Sequence, residues 1–418
     1  MTRRLHAARC EEVLLQKPLR KLGGRSIGRV AGAAGVILLA CQPAVRASGS
    51  HNQHAVAYQI NAAHSGRMSL PYGMKLVPPL VLEWSRNLGG PVSYPLIADG
   101  LVFVTVGNTG SYGTEFYALK LSTGDIVYQK PISGTYYWSN AAYDHKRVFV
   151  VNFDGELQAF AAATGDPAWS VQLPGQWAFS SPPTARGGQV FVGGAGDGGT
   201  LYAVDEASGN VNWSALVLNG DNSSPALGDQ GVYVSYPCQA YKFNPSSGTL
   251  LWNYNGGCEG GGGKTPVYHQ DRLYVRDLDG GSNAILDAAS GAELEGFGAV
   301  PAPAFLGNYG FFLANGTLYG IALDTGNALW SFAGDGELTT APIVFGKAVF
   351  VGSGRGRLYM LDRRTGGIEW MTNVGAPIPA PDEQNASQPL TGLGAGEGRL
   401  IVPAGSSISA YVPSGLSP

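Results

Sequence analysis

The residues most suited to binding chemistry are aromatic side chains and one lysine, all in loops between apolar runs. Aromatic anchors carry a large share of the free energy at many protein and ligand sites. We therefore predict a non-covalent site for a peptide, a sugar or the edge of another protein, with no catalytic residue. The alternative is that the rings only plug the interior of the fold. The predicted site residues are Tyr136, Tyr137, Trp138, Trp177, Phe179 and Lys264.

Two cysteines are spaced for disulfide formation. Cys238 and Cys258 lie about ten residues on either side of Ser247–Gly248, a pair typical of a tight turn. An antiparallel hairpin would bring the two thiols together, and an oxidising compartment would join them. Closing this loop would contribute about 3 kcal/mol by restricting the unfolded chain. The alternative is a pair of buried free thiols.

The elements that position these loops come from one repeated unit. A Ser-Gly or Thr-Gly pair returns eight times, at intervals of 35 to 49 residues, each time after a short alternating apolar run. This period fits the four antiparallel strands of a β-propeller blade, about 40 to 50 residues long. The turn glycines are Gly124, Gly165, Gly209, Gly248, Gly291, Gly326, Gly366 and Gly415.

A large aromatic residue follows the turn glycine by four positions in all but one of the first seven copies. Glu295 is the exception. Stacked sheets must bury their faces, so we predict that these rings pack between blades, each contributing about 1.5–3 kcal/mol. The rings are Tyr128, Trp169, Trp213, Trp252, Trp330 and Trp370.

The two ends of the repeat region are complementary. Residues 81–84 resemble a lone outer strand, whereas the last copy, over residues 401–412, ends before any outer strand. Pairing these strands in one blade would leave no free sheet edge. We therefore predict an all-β fold, an eight-bladed propeller over residues 79–413 that is closed by its N-terminal and C-terminal strands, with a tail at 414–418.

The N-terminus is typical of an exported protein. A basic stretch precedes a short apolar run over residues 30–40, which predicts a signal peptide over 1–40. Residues 38–41 resemble a lipoprotein cleavage site, which predicts lipidation of Cys41; the alternative is soluble export after cleavage at Ala47. Export would place the protein in the periplasm or at the outer membrane.

Residues 41–78 are predicted to be a solvated tether. His51, His54 and His64 lie in this stretch, where the alternative is a metal site. Loss of residues 1–40 would remove eight basic and two acidic residues and leave a net charge of −9. An acidic surface repels phosphate backbones, so we expect no nucleic-acid partner.

Two of the copies, residues 201–213 and 358–370, are similar to the pyrroloquinoline-quinone (PQQ)-like propeller repeat, with the pattern L-Y-A-L-D-x-x-T-G-x-x-x-W. This resemblance covers about residues 80–413 and implies the propeller fold. It is compatible with two kinds of function, because the repeat occurs in quinone-dependent dehydrogenases and in non-catalytic scaffolds such as the BamB-type outer-membrane assembly lipoproteins.

Departures from the dehydrogenase pattern favour the scaffold. The chain has no adjacent cysteine pair, and no segment matches the calcium ligands and catalytic aspartate of those enzymes. We expect a monomeric, lipid-anchored, non-catalytic scaffold that binds envelope proteins and has no cofactor. The first alternative is a PQQ-dependent dehydrogenase of reduced, shortened form, which would need PQQ and calcium. The second is a carbohydrate-binding propeller.

Overall fold

The computed structural model describes residues 53–68, 76–196, 198–218, 223–229, 231–236, 238–257, 263–279 and 282–415. Every described residue belongs to a single unit of the chain, residues 48–418. Within these ranges the secondary structure is β-strand, and no helix is long and apolar enough to cross a membrane.

Alternating apolar residues and tight turns produce 33 strands in the described residues. The strands are β1 (Arg67–Met68), β2 (Leu80–Asn87), β3 (Leu96–Ala98), β4 (Leu101–Gly107), β5 (Thr114–Lys120), β6 (Ile126–Ile132), β7 (Ser139–Asp144), β8 (Arg147–Asn152), β9 (Glu156–Ala161), β10 (Pro167–Gln172), β11 (Thr184–Arg186), β12 (Gln189–Gly196), β13 (Gly198–Asp205), β14 (Val211–Val217), β15 (Ala226–Leu227), β16 (Val232–Tyr236), β17 (Gln239–Phe243), β18 (Leu250–Asn255), β19 (Val267–His269), β20 (Arg272–Asp279), β21 (Ser282–Asp287), β22 (Glu293–Gly296), β23 (Ala304–Leu306), β24 (Tyr309–Ala314), β25 (Thr317–Ala322), β26 (Ala328–Phe332), β27 (Ile343–Phe345), β28 (Ala348–Gly352), β29 (Arg357–Asp362), β30 (Ile368–Asn373), β31 (Gly394–Gly396), β32 (Arg399–Ala404) and β33 (Ser407–Pro413).

These strands form eight sheets, one for each blade, and the four strands of every blade are antiparallel. Strand β1 adds a fifth strand to one of these sheets, because it pairs in parallel with β27. Blades 1 to 7 take four consecutive strands each, from β3–β6 to β27–β30, with the innermost strand first. Blade 8 combines β31, β32 and β33 with β2 as its outer strand. The register joins Leu80 to Pro413 and Asn87 to Ser407. The predicted eight-bladed propeller, closed by strands from both ends of the repeat region, is therefore confirmed.

The aromatic residues after the turns pack between blades, as expected. The indole of Trp213 lies against Gly248 of the next blade, where an added Cβ would be 2.6 Å from the ring. The indole N–H also donates to the carbonyl oxygen of Pro245 at 3.0 Å. The same ring-to-carbonyl hydrogen bond recurs at five further interfaces, from Trp84, Tyr128, Trp169, Trp252 and Trp330.

Residues 53–68, which we call the channel segment, are not a solvated tether. They run inside the ring and make backbone hydrogen bonds to innermost strands or their turns in seven blades, including Ala55 to Ile97 at 2.9 Å and Val344 to Gly66 at 2.8 Å. His64 contacts the remaining blade, blade 3, through the hydroxyl of Thr184 at 3.3 Å. The prediction for this part of the tether was wrong because backbone groups of the innermost strands pair with the segment.

Candidate functional site

The loops that join one blade to the next share one face of the ring. Four antiparallel strands per blade place the connections from outermost to innermost strands on the same side as the loops between second and third strands. We call this side the loop face and the opposite side the turn face. All six predicted binding residues lie in or next to loops of the loop face.

Four aromatic rings form a cluster on the loop face over blades 1 and 2. Tyr112 is 62% exposed, and its ring centroid lies 5.0 Å from that of Tyr137 and 6.5 Å from that of Tyr136. The ring of Tyr136 lies 4.1 Å from Phe153. We call these four residues the aromatic cluster. Tyr112 was missed in the sequence, because its β4–β5 loop is rich in glycine and serine and contains only one large side chain.

Trp177 lies in the next loop along the ring, between blades 2 and 3. It is 59% exposed and is held by a backbone hydrogen bond from its own N–H to Ala195 at 3.1 Å. Its ring covers Gly196, where an added Cβ would be 2.9 Å away. A tryptophan with a fixed backbone and an exposed ring is well suited to contact another surface.

Two of the predicted binding residues belong to the core instead. Trp138 is 1% exposed and packs with the apolar residues of blades 2 and 3. Phe179 is fully buried, and its ring covers Gly155 and Gly194. Neither residue is available to a partner, and the predicted surface is smaller than expected.

Lys264 is partly exposed but its charge is paired. Its ammonium group lies 3.4 Å from Asp277, and its carbonyl oxygen accepts a hydrogen bond from Ser235 at 2.7 Å. Asp277 lies in strand β20 of blade 5. The side chain of Lys264 therefore pairs within blade 5, and its backbone carbonyl makes the contact to blade 4.

The disulfide and the lipidation site remain predictions. Cys238 is buried with a positive φ of 74°. Its predicted partner Cys258 lies outside the described residues, as does Cys41.

A long connection crosses the centre of the loop face. Residues 374–393, the crossing loop, join β30 of blade 7 to β31 of blade 8. Glu383 in this loop accepts from the backbone N–H of Thr265, in blade 5, at 2.6 Å. Leu390 accepts from the backbone N–H of Tyr94, next to blade 1, at 2.9 Å. Blades 1 and 5 are opposite each other in a ring of eight, so the loop spans the central channel.

A buried ion pair fixes the crossing loop. The guanidinium of Arg276 lies 2.6 Å from the carboxylate of Glu383, and the two side chains are 2% and 4% exposed. Arg276 also donates to the carbonyl oxygens of Thr265 at 3.1 Å and Val300 at 2.8 Å. These bonds compensate for much of the cost of burying two charges. No motif in the sequence marked this pair, because its members lie 107 residues apart.

The channel segment places two titratable rings below the crossing loop. Burial raises the pKa of Tyr58 well above its usual value, with a further rise from the charge of Glu383. Burial lowers the pKa of His64, although its ring nitrogens lie 2.8 Å from the carbonyl oxygen of Tyr58 and 3.0 Å from that of Pro225. His64 is therefore a buried ring that links the segment to blade 4, and not a solvated linker residue.

Fold and site together define a propeller of PQQ-like repeats with exposed aromatic rings on one face and its own chain in the channel. The family model described as "Outer membrane protein assembly factor BamB" matches residues 130–257, 198–377 and 314–405. These matches cover more than half of the chain, which therefore belongs to this family.

Relatives of known identity fall into two groups. The outer membrane protein assembly factor BamB of Bordetella pertussis is 28% identical over 262 residues, 61% of this chain and 59% of that protein. Lupanine 17-hydroxylase of a Pseudomonas species is 28% identical over 205 residues, 43% of this chain and 27% of that protein. The chain thus spans about three fifths of the first relative and about a quarter of the second.

Solved structures agree on the fold. A europium-containing methanol dehydrogenase superposes with a TM-score of 0.68 at 14% identity, covering 86% of this chain and 98% of that chain. BamB from Moraxella catarrhalis superposes with a TM-score of 0.60 at 19% identity, covering 80% of this chain and 99% of that chain. At these identities the likeness concerns the fold alone.

Proposed function

We propose that the protein is an exported, non-catalytic scaffold in the assembly of outer-membrane proteins, anchored by a lipid on Cys41. The observation that carries this proposal is the aromatic cluster with Trp177, which exposes large rings on one face of a rigid ring. Such rings lose little conformational entropy on binding, because the loops that hold them are already ordered. Family membership and the BamB relatives support the choice of partner, a protein of the outer-membrane assembly machinery.

The centre of the ring supports a scaffold over a quinone enzyme. A quinone would need an open site at the channel, where Tyr58, Arg276 and Glu383 of this chain are buried and mutually interacting. We infer that a planar cofactor would have to displace the crossing loop to reach this position. The sequence also has no adjacent cysteines to place against such a ring.

Site-specific photo-crosslinking in the native bacterium tests the proposed binding surface. We expect a photo-reactive residue at Trp177 or Tyr112 to form a discrete adduct with an outer-membrane assembly protein. The matched control is Leu329, which is similarly exposed but lies on outer strand β26 of blade 6. Adducts from Leu329 but not from the two aromatic positions would reject the loop face as the binding surface.

A quinoprotein dehydrogenase of shortened form is the second candidate. The sequence identity to lupanine 17-hydroxylase, over a shorter match, equals that to the Bordetella protein. Titration of the purified protein with PQQ and Ca²⁺ distinguishes the two. The scaffold predicts no stoichiometric quinone absorbance in the protein fraction after gel filtration. One bound quinone per chain would reverse the order of the candidates.

A further inference from the structure

A cluster of three metal-binding side chains lies on the turn face, at the junction of blades 2 and 3. Asp144 is the last residue of β7 and His145 lies in the turn from β7 to β8 of blade 2, whereas Glu206 lies in the turn from β13 to β14 of blade 3. One ligand atom from each residue can be chosen so that all three lie within 4.8 Å of one another. The cluster is on the opposite side of the ring from the aromatic cluster.

The distances suit a small cation. The imidazole Nδ1 of His145 lies 2.9 Å from Glu206 Oε2 and 3.4 Å from Asp144 Oδ2. The ligand atoms of a tetrahedral zinc site are about 3.3 Å apart, given metal–ligand distances of about 2.0–2.2 Å. Small side-chain movements would therefore bring the three ligand atoms to the spacing of a zinc site.

Glu206 is a buried acid that faces a histidine and a second acid. Its side chain is 3% exposed, its Oε2 faces His145, and its carboxyl group interacts with that of Asp144. Asp144, also buried, accepts from the backbone N–H groups of Gly187 and His145, each at 2.9 Å. Two buried carboxyl groups face each other here, and the repulsion between their charged forms costs free energy that a cation bound between them would recover.

The neighbouring charges leave this position open to a cation. The guanidinium of Arg147 donates to the backbone carbonyl oxygen of Glu206 at 3.1 Å, and the Trp169 indole donates to the same atom at 2.9 Å. These bonds hold the backbone of the Glu206 turn in place and do not engage its carboxylate. The side chain of His145 is 53% exposed, so an ion and its coordinated water can enter from solvent.

We propose that Asp144, His145 and Glu206 form a divalent transition-metal site that joins blades 2 and 3. The mixed nitrogen and oxygen ligand set suits Zn²⁺, with water in the remaining position. The metal takes the place of the proton between His145 Nδ1 and Glu206 Oε2, and that proton is released to solvent. Because the ligands come from two blades, the bound ion stabilises the interface between them.

Calorimetric titration of the full chain tests the proposal. The protein is purified without a histidine tag, stripped with a chelator and titrated with Zn²⁺. We expect one equivalent to bind, and the melting temperature to rise with the Zn²⁺ concentration. Co²⁺ in place of Zn²⁺ should give the visible absorption of a low-symmetry site.

Three variants assign the binding to these residues. His145→Gln and Glu206→Gln should each lower the Zn²⁺ affinity at least ~10-fold and abolish the rise in melting temperature. His145→Gln changes a half-exposed side chain, so it retains the fold even where Glu206→Gln does not. The control is Glu156→Gln, at a more accessible carboxylate of blade 2 that accepts a hydrogen bond from Ser170. This variant should bind Zn²⁺ like the wild type. Absence of stoichiometric binding, or equal affinity in wild type and His145→Gln, would overturn the proposal.

Discussion

At the scale of single residues, the blade interfaces depend on a close approach between an aromatic ring and a turn glycine. Gly248 has a φ of +70°, and its missing side chain leaves room for the indole of Trp213. Gly326 occupies the same repeat position with a φ of +68°, but Glu295 replaces the ring and nothing lies within 4 Å of an added Cβ. An alanine at either position would therefore suffer similar backbone strain, but only at Gly248 would it also collide with a ring.

This pair allows the packing contribution to be measured. Gly248→Ala should lower the free energy of unfolding by about 1–3 kcal/mol more than Gly326→Ala, because only the first substitution displaces an indole. Urea denaturation of both variants gives the difference. Equal losses would mean that backbone strain, and not ring packing, is what the turn glycines relieve.

His64 gives a pH-dependent term at the same scale. Burial lowers its pKa from the ordinary value of 6.5, and this effect exceeds the opposing influence of the hydrogen bonds to the carbonyl oxygens of Tyr58 and Pro225. The unfolded chain therefore binds a proton more readily than the folded chain, and stability falls as the pH falls below about 6.5. We expect unfolding midpoints measured from about pH 7.5 to 5 to fall less steeply for His64→Gln than for the wild type. Parallel profiles would contradict the lowered pKa of His64.

At the scale of elements, the closing blade is held by a buried ion pair as well as by its strands. Arg399 of β32 forms two hydrogen bonds to the carboxylate of Glu83 in β2, at 2.6 and 2.7 Å. The Glu83 side chain is 4% exposed. The pair therefore joins strands from the two ends of the repeat region in one blade.

Loss of Arg399 should weaken this closure. Arg399→Met leaves a buried carboxylate without its partner and should cost about 3 kcal/mol of stability. Arg355→Met is the control, since Arg355 and Glu337 form an exposed pair whose loss should cost less than about 1 kcal/mol. Thermal denaturation separates the two outcomes, and similar small shifts for both variants would show that the Glu83 pair does not hold the blade.

The elements also show what can be inferred from this sequence and what cannot. Turn glycines and the rings four residues later, such as Gly248 and Trp252, recur with the blade, so strand order and closure could be predicted. The channel segment and the crossing loop occur once, and their polar residues look solvated in the sequence. Their partners, such as Thr265 for Glu383, are backbone groups of distant blades. The exposure of individual rings could not be predicted either, because Trp138 and Trp177 have similar sequence contexts but one is buried and the other exposed.

At the scale of the whole molecule, the ring has a filled centre and two distinct faces. The channel segment and the crossing loop close the channel with residues of the same chain, and the loop face presents the aromatic cluster and Trp177. A rigid ring of this kind can present a preformed surface to a partner without reorganisation of its blades. Under the proposed scaffold function, we therefore expect a partner to contact the loop face as a whole.

The most direct test is the amount of folded outer-membrane protein in native cells whose chromosomal copy of this gene is deleted. We predict that the deletion lowers this amount, that the wild-type chain restores it, and that a chain carrying Tyr136→Ala and Trp177→Ala does not, although it accumulates and melts like the wild type. Full restoration by the double variant, or no effect of the deletion, would contradict the account.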